Sequence, residues 1–344
     1  MTQLQTWIDQ LESNTSQPSL KAEFQVVTPM FIGDGAQSAS SIRPPSIKGA
    51  LRFWWRALNW SRCLQESGSE TKALNQLHDE EAEIFGLAAK QDNAGQQQGG
   101  QGLFTLKVSQ PDKLPKVNNW PANGNSPCGF IGFGLWETNT SKQREAIAEG
   151  VSFSVELIFK KDVTDTVLAQ LKEALIVFGL LGSLGSRARR GFGSVSITSI
   201  NDESLQFSSL DEYRSVLDKY LPKDQSNNKS YPAFTAWTVH SSVYSYGSKN
   251  EARQALQILN ASYKEARSVL SIEKKAYFGL PLADHDTKNR RSSPFIMHIH
   301  PIGGAFQALV SFLPANFHDK HRSDSSELAT TLNTFISASQ EQVL

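Results

Sequence analysis

Residues Gly179–Gly193 read GLLGSLGSRARRGFG, with five glycines and three arginines in fifteen positions. Upstream, Thr164–Leu181 carries a helix-length apolar pattern. Downstream, Phe192–Ile200 alternates apolar and polar residues, as a strand does. The glycine-rich stretch therefore joins a helix to a strand. A dinucleotide fingerprint runs the other way, from strand to helix, and no Gly-Lys-Ser/Thr follows to make an NTPase phosphate loop. Glycine permits positive φ and a close approach of backbone to ligand. Arginine offers a planar fork that matches phosphate. The plainer alternative is a mobile turn with solubilising charges.

Working outward, strands are predicted at Leu20–Thr28, Leu103–Ser109, near Gly129–Trp136, and at Val151–Lys160, where Val151, Phe153, Val155, Leu157 and Phe159 alternate. Gly33–Ser41 reads as a loop. Helices are predicted from Ser46 to about Arg62 and over Thr71–Leu87, and Leu4, Trp7, Ile8 and Leu11 suggest a short amphipathic helix at the start. Asp92–Gly102, rich in Gln and Gly, reads as a flexible loop. The order strand, helices, strand, strand, helix, strand is the βαββαβ plan of a ferredoxin-like domain. Polar, unpatterned Lys223–Ser230 reads as a linker, dividing the chain into units 1–222 and 231–344. The second unit is predicted to hold a strand at Ala233–Val243, a helix at Lys249–Leu270, strands at Pro294–His300 and Ala305–Leu313, and a helix at Ser325–Gln340, with no evident final strand. The fold class expected is α+β, as two tandem ferredoxin-like units.

Arg43–Asn59, RPPSIKGALRFWWRALN, is the second informative stretch. Pro44 and Pro45 predict an extended approach, and Ser46 is a candidate N-cap. Leu51, Trp54, Trp55 and Leu58 form one apolar stripe at helical spacing. Lys48, Arg52 and Arg56, spaced by four, form another, roughly a quarter-turn or slightly more away. One face then seats in the core while the next points cations outward. The helix N-terminus adds amide donors and positive dipole to that end. An ordinary solvated basic face is the alternative. It would usually carry i,i+4 carboxylates, and none lies within that spacing of these cations.

The chain has 344 residues and a formal net charge of zero, from 34 basic and 34 acidic side chains. A bulk nucleic-acid binder is usually basic, but the local distribution differs from the total. Gln37–Gln65 and Ala174–Asn201 contain no Asp or Glu, and the compensating acids include Asp79, Glu80, Glu81 and Glu83. The two cysteines, Cys63 and Cys128, form no CxxC pair, which argues against structural zinc and a disulfide framework and suggests a reducing, cytoplasmic setting. No apolar run is long enough to span a membrane, and the N-terminus lacks a secretory pattern.

RPPSIKGALRFWWRAL (Arg43–Leu58), EAEIFG (Glu81–Gly86) and GSLGSRARRGFGSV (Gly182–Val195), with weaker support from YFGLP (Tyr277–Pro281) and RRSSP (Arg290–Pro294), resemble the RAMP superfamily of CRISPR-associated proteins. Within it they resemble the Cmr-type subunit-one family of type III-B effector complexes. That resemblance implies two ferredoxin-like domains and no cofactor, and the lack of a long apolar run adds the expectation of no membrane partner. It implies partnership with other Cmr subunits, crRNA and target single-stranded RNA, away from the 5′ handle, with target cutting left to other subunits. Carried onto this sequence, it makes Arg43, Ser46, Lys48, Arg52, Arg56, Arg187, Arg189 and Arg190 candidate RNA contacts. Gly182, Gly185, Gly191 and Gly193 would shape the loop. Trp54 and Trp55 fit either base stacking or core packing, with their stripe favouring the core. Arg290 and Arg291 are secondary candidates.

An RNA-cutting enzyme is the rival expectation, since some RAMP relatives are metal-independent ribonucleases and that chemistry often uses His. Of the seven histidines only His78 precedes the linker. His298 and His300 share a strand face that, with Asp284, His285 or Asp286, suits a metal, although ordinary polar contacts explain the pair as well. A pure assembly role, with arginines meeting acidic neighbours, is the remaining alternative.

Overall fold

The computed structural model describes residues 17–33, 38–91, 97–136, 144–160, 162–222, 232, 234–282, 285–316 and 325–344. The expected N-terminal helix, the linker 223–230, residues 92–96, Asp284, His318 and His321 lie outside them.

The first half runs β1 (Ser19–Val26), α1 (Pro44–Ser67), α2 (Glu70–Phe85), β2 (Gly86–Gln91), β3 (Gln97–Gln101), β4 (Phe104–Ser109), β5 (Lys116–Val117), β6 (Ala146–Ile147), β7 (Ser152–Phe159), α3 (Asp165–Leu181), β8 (Val195–Ile200), β9 (Glu203–Ser204) and α4 (Leu210–Tyr220). One antiparallel sheet has the order β4-β7-β1-β8-β9. Alternation decides its faces: Phe153, Val155, Leu157 and Phe159 of β7 and Leu20, Ala22, Phe24 and Val26 of β1 are buried. Phe24 opposes Phe153 in register, and their rings stack at 5.4 Å. Helix α3 starts where Thr164 accepts a hydrogen bond from the Val167 amide. Its Gly179 meets β8 so closely that a Cβ would sit 2.3 Å from that of Ile197.

The second half runs β10 (Ser242–Lys249), α5 (Ala252–Ser268), α6 (Ile272–Lys275), a 3₁₀ turn (Ala276–Phe278), β11 (Leu280–Leu282), β12 (Asp286–Arg291), β13 (Phe295–Ile302), β14 (Ala305–Phe312), α7 (Ser325–Ile336) and β15 (Glu341–Gln342). Its main sheet has the order β13-β14-β10-β15. Gly303 and Gly304, both at positive φ, turn the β13–β14 hairpin.

Several sequence expectations need correction. Helix α1 starts at Pro44, with Arg43 as N-cap and no side-chain cap. Proline is well suited to the first turn, whose amides have no intrahelical partner, so Ser46 sits inside the helix. The helix continues past Arg62 to Gly68, whose left-handed conformation lets its amide reach Leu64 O at 3.0 Å. Gly129–Trp136 consists of turns rather than a strand. Gln97–Gln101 is a strand paired with β2. Helix α4 was not anticipated, and β15 supplies the final strand that the sequence did not show.

The halves are interlocked. One core joins the first sheet and α1–α4 to Trp237, Val243, Ile296, Leu313 and Val343. The other draws Val27, Phe31, Cys128 and Phe192 into the second half. Backbone bonds cross between them: Trp237 donates to Ala57 O at 2.9 Å and Met297 to Arg189 O at 3.1 Å. Arg190 and Met297 form an isolated parallel bridge. Among the described residues no helix is long and apolar enough to cross a membrane, and both cysteines are free and buried.

Candidate nucleic-acid interface

Trp54 and Trp55 are buried, and the Trp55 indole donates to Gln170 at 3.1 Å, so both pack in the core as their stripe suggested. Lys48, Arg52 and Arg56 flank that core as a separate stripe. The carboxylate missing from the helical neighbours of Arg52 and Arg56 arrives from α2. Glu81, buried, bridges Arg52 (Oε1 to Nε, 2.9 Å) and Arg56 (Oε2 to Nε, 3.0 Å). Glu80 and Glu66 pair with Arg62. Two arginines therefore share one carboxylate, which orients both and leaves a net positive charge. Lys48 has no carboxylate partner among the described residues. It lies 5.7 Å from the Phe104 ring, and burial, then Arg52, lowers its pKa.

Lys48 and Arg52 border an open groove of about 620 Å³, lined also by Pro44, Pro45, Phe104, Lys160 and the glycine-rich β2–β3 hairpin. Gly86 (φ +83°) and Gly102 press backbone to backbone here; a Cβ on Gly86 would lie 2.7 Å from Gly102 N. The helix end contributes dipole but few donors. Pro44 and Pro45 have no N–H, and the Ser46 and Ile47 amides both donate to Arg43 O. Arg43 is exposed and donates to Gly33 O at 2.7 Å.

The loop before β8 folds back beside α1. Gly185, Gly191 and Gly193 have positive φ, whereas Gly182 does not and is required by space, since a Cβ would stand 2.4 Å from Phe178 O. The three arginines differ. Arg187 is exposed, itself at φ +62°. Arg189 is partly buried: it donates to Ser293 O at 2.7 Å and Thr235 Oγ1 at 3.0 Å and covers the Phe53 ring at 4.8 Å. Burial, then Arg190 and Arg291, lowers its pKa to about 10, still charged at neutral pH. Arg190 lies over the Tyr263 ring at 4.1 Å. Phe53 is about 100° around α1 from Arg52, so the two basic segments flank one exposed strip of the helix, centred on Gly49. Arg189→Ala removes two charge-assisted hydrogen bonds and a cation–π contact, and is expected to cost about 3 kcal/mol. Arg187→Ala should stay within about 0.5 kcal/mol. Urea unfolding of both variants checks this.

The secondary candidates are engaged locally. Arg290 donates to the Thr287, Lys288 and Asn289 carbonyls, and Arg291 to Ala315 O at 2.9 Å. His298 and His300 are fully buried on β13, 3.1 Å apart between Nε2 and Nδ1. Burial lowers the pKa of His298 to about 3 and that of His300 well below its ordinary value. Among the described residues no group of three His, Cys, Asp or Glu side chains is placed to hold a metal. Sequence reasoning missed the Glu81 fork and the place of Lys160 in the groove. EAEIFG was noticed, but which helix face it met was not written in its own spacing.

The chain resembles known proteins along most of its length. It is 29% identical over 307 residues to the CRISPR system Cmr subunit Cmr1-1 of Pyrococcus furiosus, covering 82% of this chain and 83% of that one. The crystal structure of Cmr1 from Pyrococcus furiosus in its apo form superposes with a TM-score of 0.63 at 22% identity, over 95% of this chain and 98% of that chain. A chain in the cryo-EM structure of the type III-B Cmr-beta complex bound to cognate target RNA superposes with a TM-score of 0.60 at 14% identity, over 96% and 100% of the two chains. These superpositions speak to the fold. The family model of the RAMP superfamily matches residues 23–196, half the chain including both basic segments, and the protein belongs to the RAMP superfamily.

Proposed function

We propose that this chain is the subunit-one component of a type III-B CRISPR (Cmr) effector complex, and that it binds crRNA and target single-stranded RNA without cutting either. The observation that carries the RNA reading is the groove at the start of α1. There Lys48, Arg52 and Lys160 border exposed glycine backbone, and Glu81 serves Arg52 and its neighbour Arg56 at once. A polyanion supplies the missing negative charge there. Arg43, Ser46 and Arg187 extend the contact surface, while Arg189 and Arg190 hold the loop that carries Arg187. The resemblance to Cmr1-1 and to a chain of an RNA-bound Cmr complex supports the setting.

The same reading takes residues 1–222 and 231–344 as two ferredoxin-like units. Its support is that β8-β1-β7-β4 and β15-β10-β14-β13 place first, second, third and fourth principal strands alike. The non-catalytic part is supported by His298 and His300, which sit in the core out of reach of an RNA phosphate.

Fluorescence anisotropy with an unstructured single-stranded RNA tests the proposal. Five to seven phosphate contacts give a log–log salt slope of about −3.5 to −5. Arg52→Ala with Arg56→Ala is expected to weaken binding and make that slope shallower by about one unit or more. Unchanged binding and slope, with lost assembly into the complex, would favour arginines that meet protein neighbours.

A further inference from the structure

Phe133 is 63% exposed and Phe130 38% exposed, on the turn segment between β5 and β6. Neither belongs to the groove described above. What surrounds them is cationic. Gly134, next to Phe133 and at φ +89°, lies against Arg187: a Cβ there would be 2.9 Å from Nη2, so the guanidinium rests on this backbone. Phe130 packs on Tyr263 at 6.0 Å, and Arg190 lies over the same ring at 4.1 Å. Arg190 Nη1 and Arg144 Nε are buried with no hydrogen-bond partner among the described residues. Although Arg187 is exposed as a residue, partial burial of its guanidinium, then the charges of Arg190 and Arg144, lower its pKa, and Tyr263 opposes them. No salt bridge is formed by Arg144, Arg187 or Arg190 among the described residues.

We infer that Phe133 and Phe130 form a base-stacking platform for single-stranded RNA, with Arg187 and Arg144 taking the adjoining phosphates, as a second contact site beyond the α1 groove. The inference rests on the proposed RNA binding and gives it a further site. The charge pattern selects the occupant. Two exposed rings beside guanidinium groups that form no salt bridge among the described residues suit a ligand whose planar apolar faces alternate with anions at one-residue spacing. Stacking is indifferent to base identity, so this platform grips RNA without reading its sequence.

The test uses the full chain with an unstructured single-stranded RNA, comparing Phe133→Ala, Phe130→Ala with Phe133→Ala, Phe133→Trp and Arg52→Ala with Arg56→Ala. Loss of one stacked base is worth roughly five-fold or more in affinity. Phe133→Ala is therefore expected to weaken binding about five- to tenfold with an unchanged salt slope, because it removes no charge. The Phe130/Phe133 pair should lose more, and Phe133→Trp should retain binding. Since Phe133 is exposed, an unaltered far-ultraviolet circular dichroism spectrum is expected for Phe133→Ala. If both alanine variants bind like the wild type while the Arg52/Arg56 variant is impaired, the platform is wrong and the groove stands. If the wild type itself fails to bind RNA, the proposed function falls, and the platform falls with it. Normal RNA binding by Phe133→Ala with loss of neighbouring subunits from the reconstituted complex overturns the platform in favour of a protein contact.

Discussion

Lowering the pH from 7 to 5 is expected to cost this protein about 4 kcal/mol of unfolding free energy through two side chains alone. His298 and His300 are wholly buried and face each other at 3.1 Å. Burial holds His298 at a pKa of about 3 and pushes His300 well below its ordinary 6.5. A base whose folded pKa is depressed contributes stability that is fully present above the unfolded pKa. That stability is lost as pH falls, because the unfolded chain takes up protons the folded chain refuses. Each histidine then contributes a slope of about 1.4 kcal/mol per pH unit below 6.5, continuing down to its folded pKa. Against a typical total of about 5–15 kcal/mol this is a large fraction. Urea midpoints measured from pH 7 to pH 5 check it. His300→Leu should halve the slope, and a stability indifferent to pH in that window would sink the reading of a neutral buried pair.

The second large effect concerns Gly193. Its φ is +66°, and a Cβ would lie 2.1 Å from Leu184 O, a backbone atom with no rotamer to yield. Leu184 in turn donates to Gly193 O at 2.9 Å, so the loop cannot open locally without losing its own closure. Gly193→Ala combines left-handed backbone strain of about 1–2 kcal/mol with overpacking of about 1–3 kcal/mol. Gly68 is the control: its φ is +68°, but nothing lies within 4 Å of an added Cβ. Gly68→Ala should therefore cost only the strain, about 1 kcal/mol. Thermal melts of the two variants separate space from conformation; equal losses would show that the loop relaxes around the new methyl group.

What could be read from the sequence was local. The alternation of β7 and β1, the helix α3 capped by Thr164, and the two stripes of α1 follow from periods of two and 3.6 residues, which neighbouring positions carry. Misreadings arose where a longer-range partner or a special backbone decided. GFIGFGLW looked like a strand because it is apolar, but Gly134 is at φ +89° and Gly132 is pressed against Pro121 and Phe192, so the segment coils. Gln97–Gln101 looked like loop because it is polar, yet backbone pairing with β2 asks nothing of its side chains. Strand β15 is two residues long and follows a polar stretch, below any periodic signal. Helix α4 did have a signal, Ser209 followed three residues later by Glu212, whose amide donates to the serine hydroxyl at 3.2 Å. Within the candidate site, the cations were legible and their pairing was not. Glu81 meets Arg52 and Arg56 only because α2 packs alongside α1, and the three loop arginines separate into one exposed and two engaged only once β13 and α5 are in place.

The bridge between Arg190 and Met297 has a thermodynamic corollary. The loop that displays Arg187 is also a seam, hydrogen-bonded to the edge strand of the other sheet. A ligand that binds the closed loop and not the opened one stabilises the union of the two halves, by about 2.7 kcal/mol at a concentration one hundred times its Kd. If that ligand is the proposed RNA, its occupancy and the seam between the halves are linked variables. By reciprocity, a second ligand that favours the opened seam would weaken the first by the same factor by which the first weakens it.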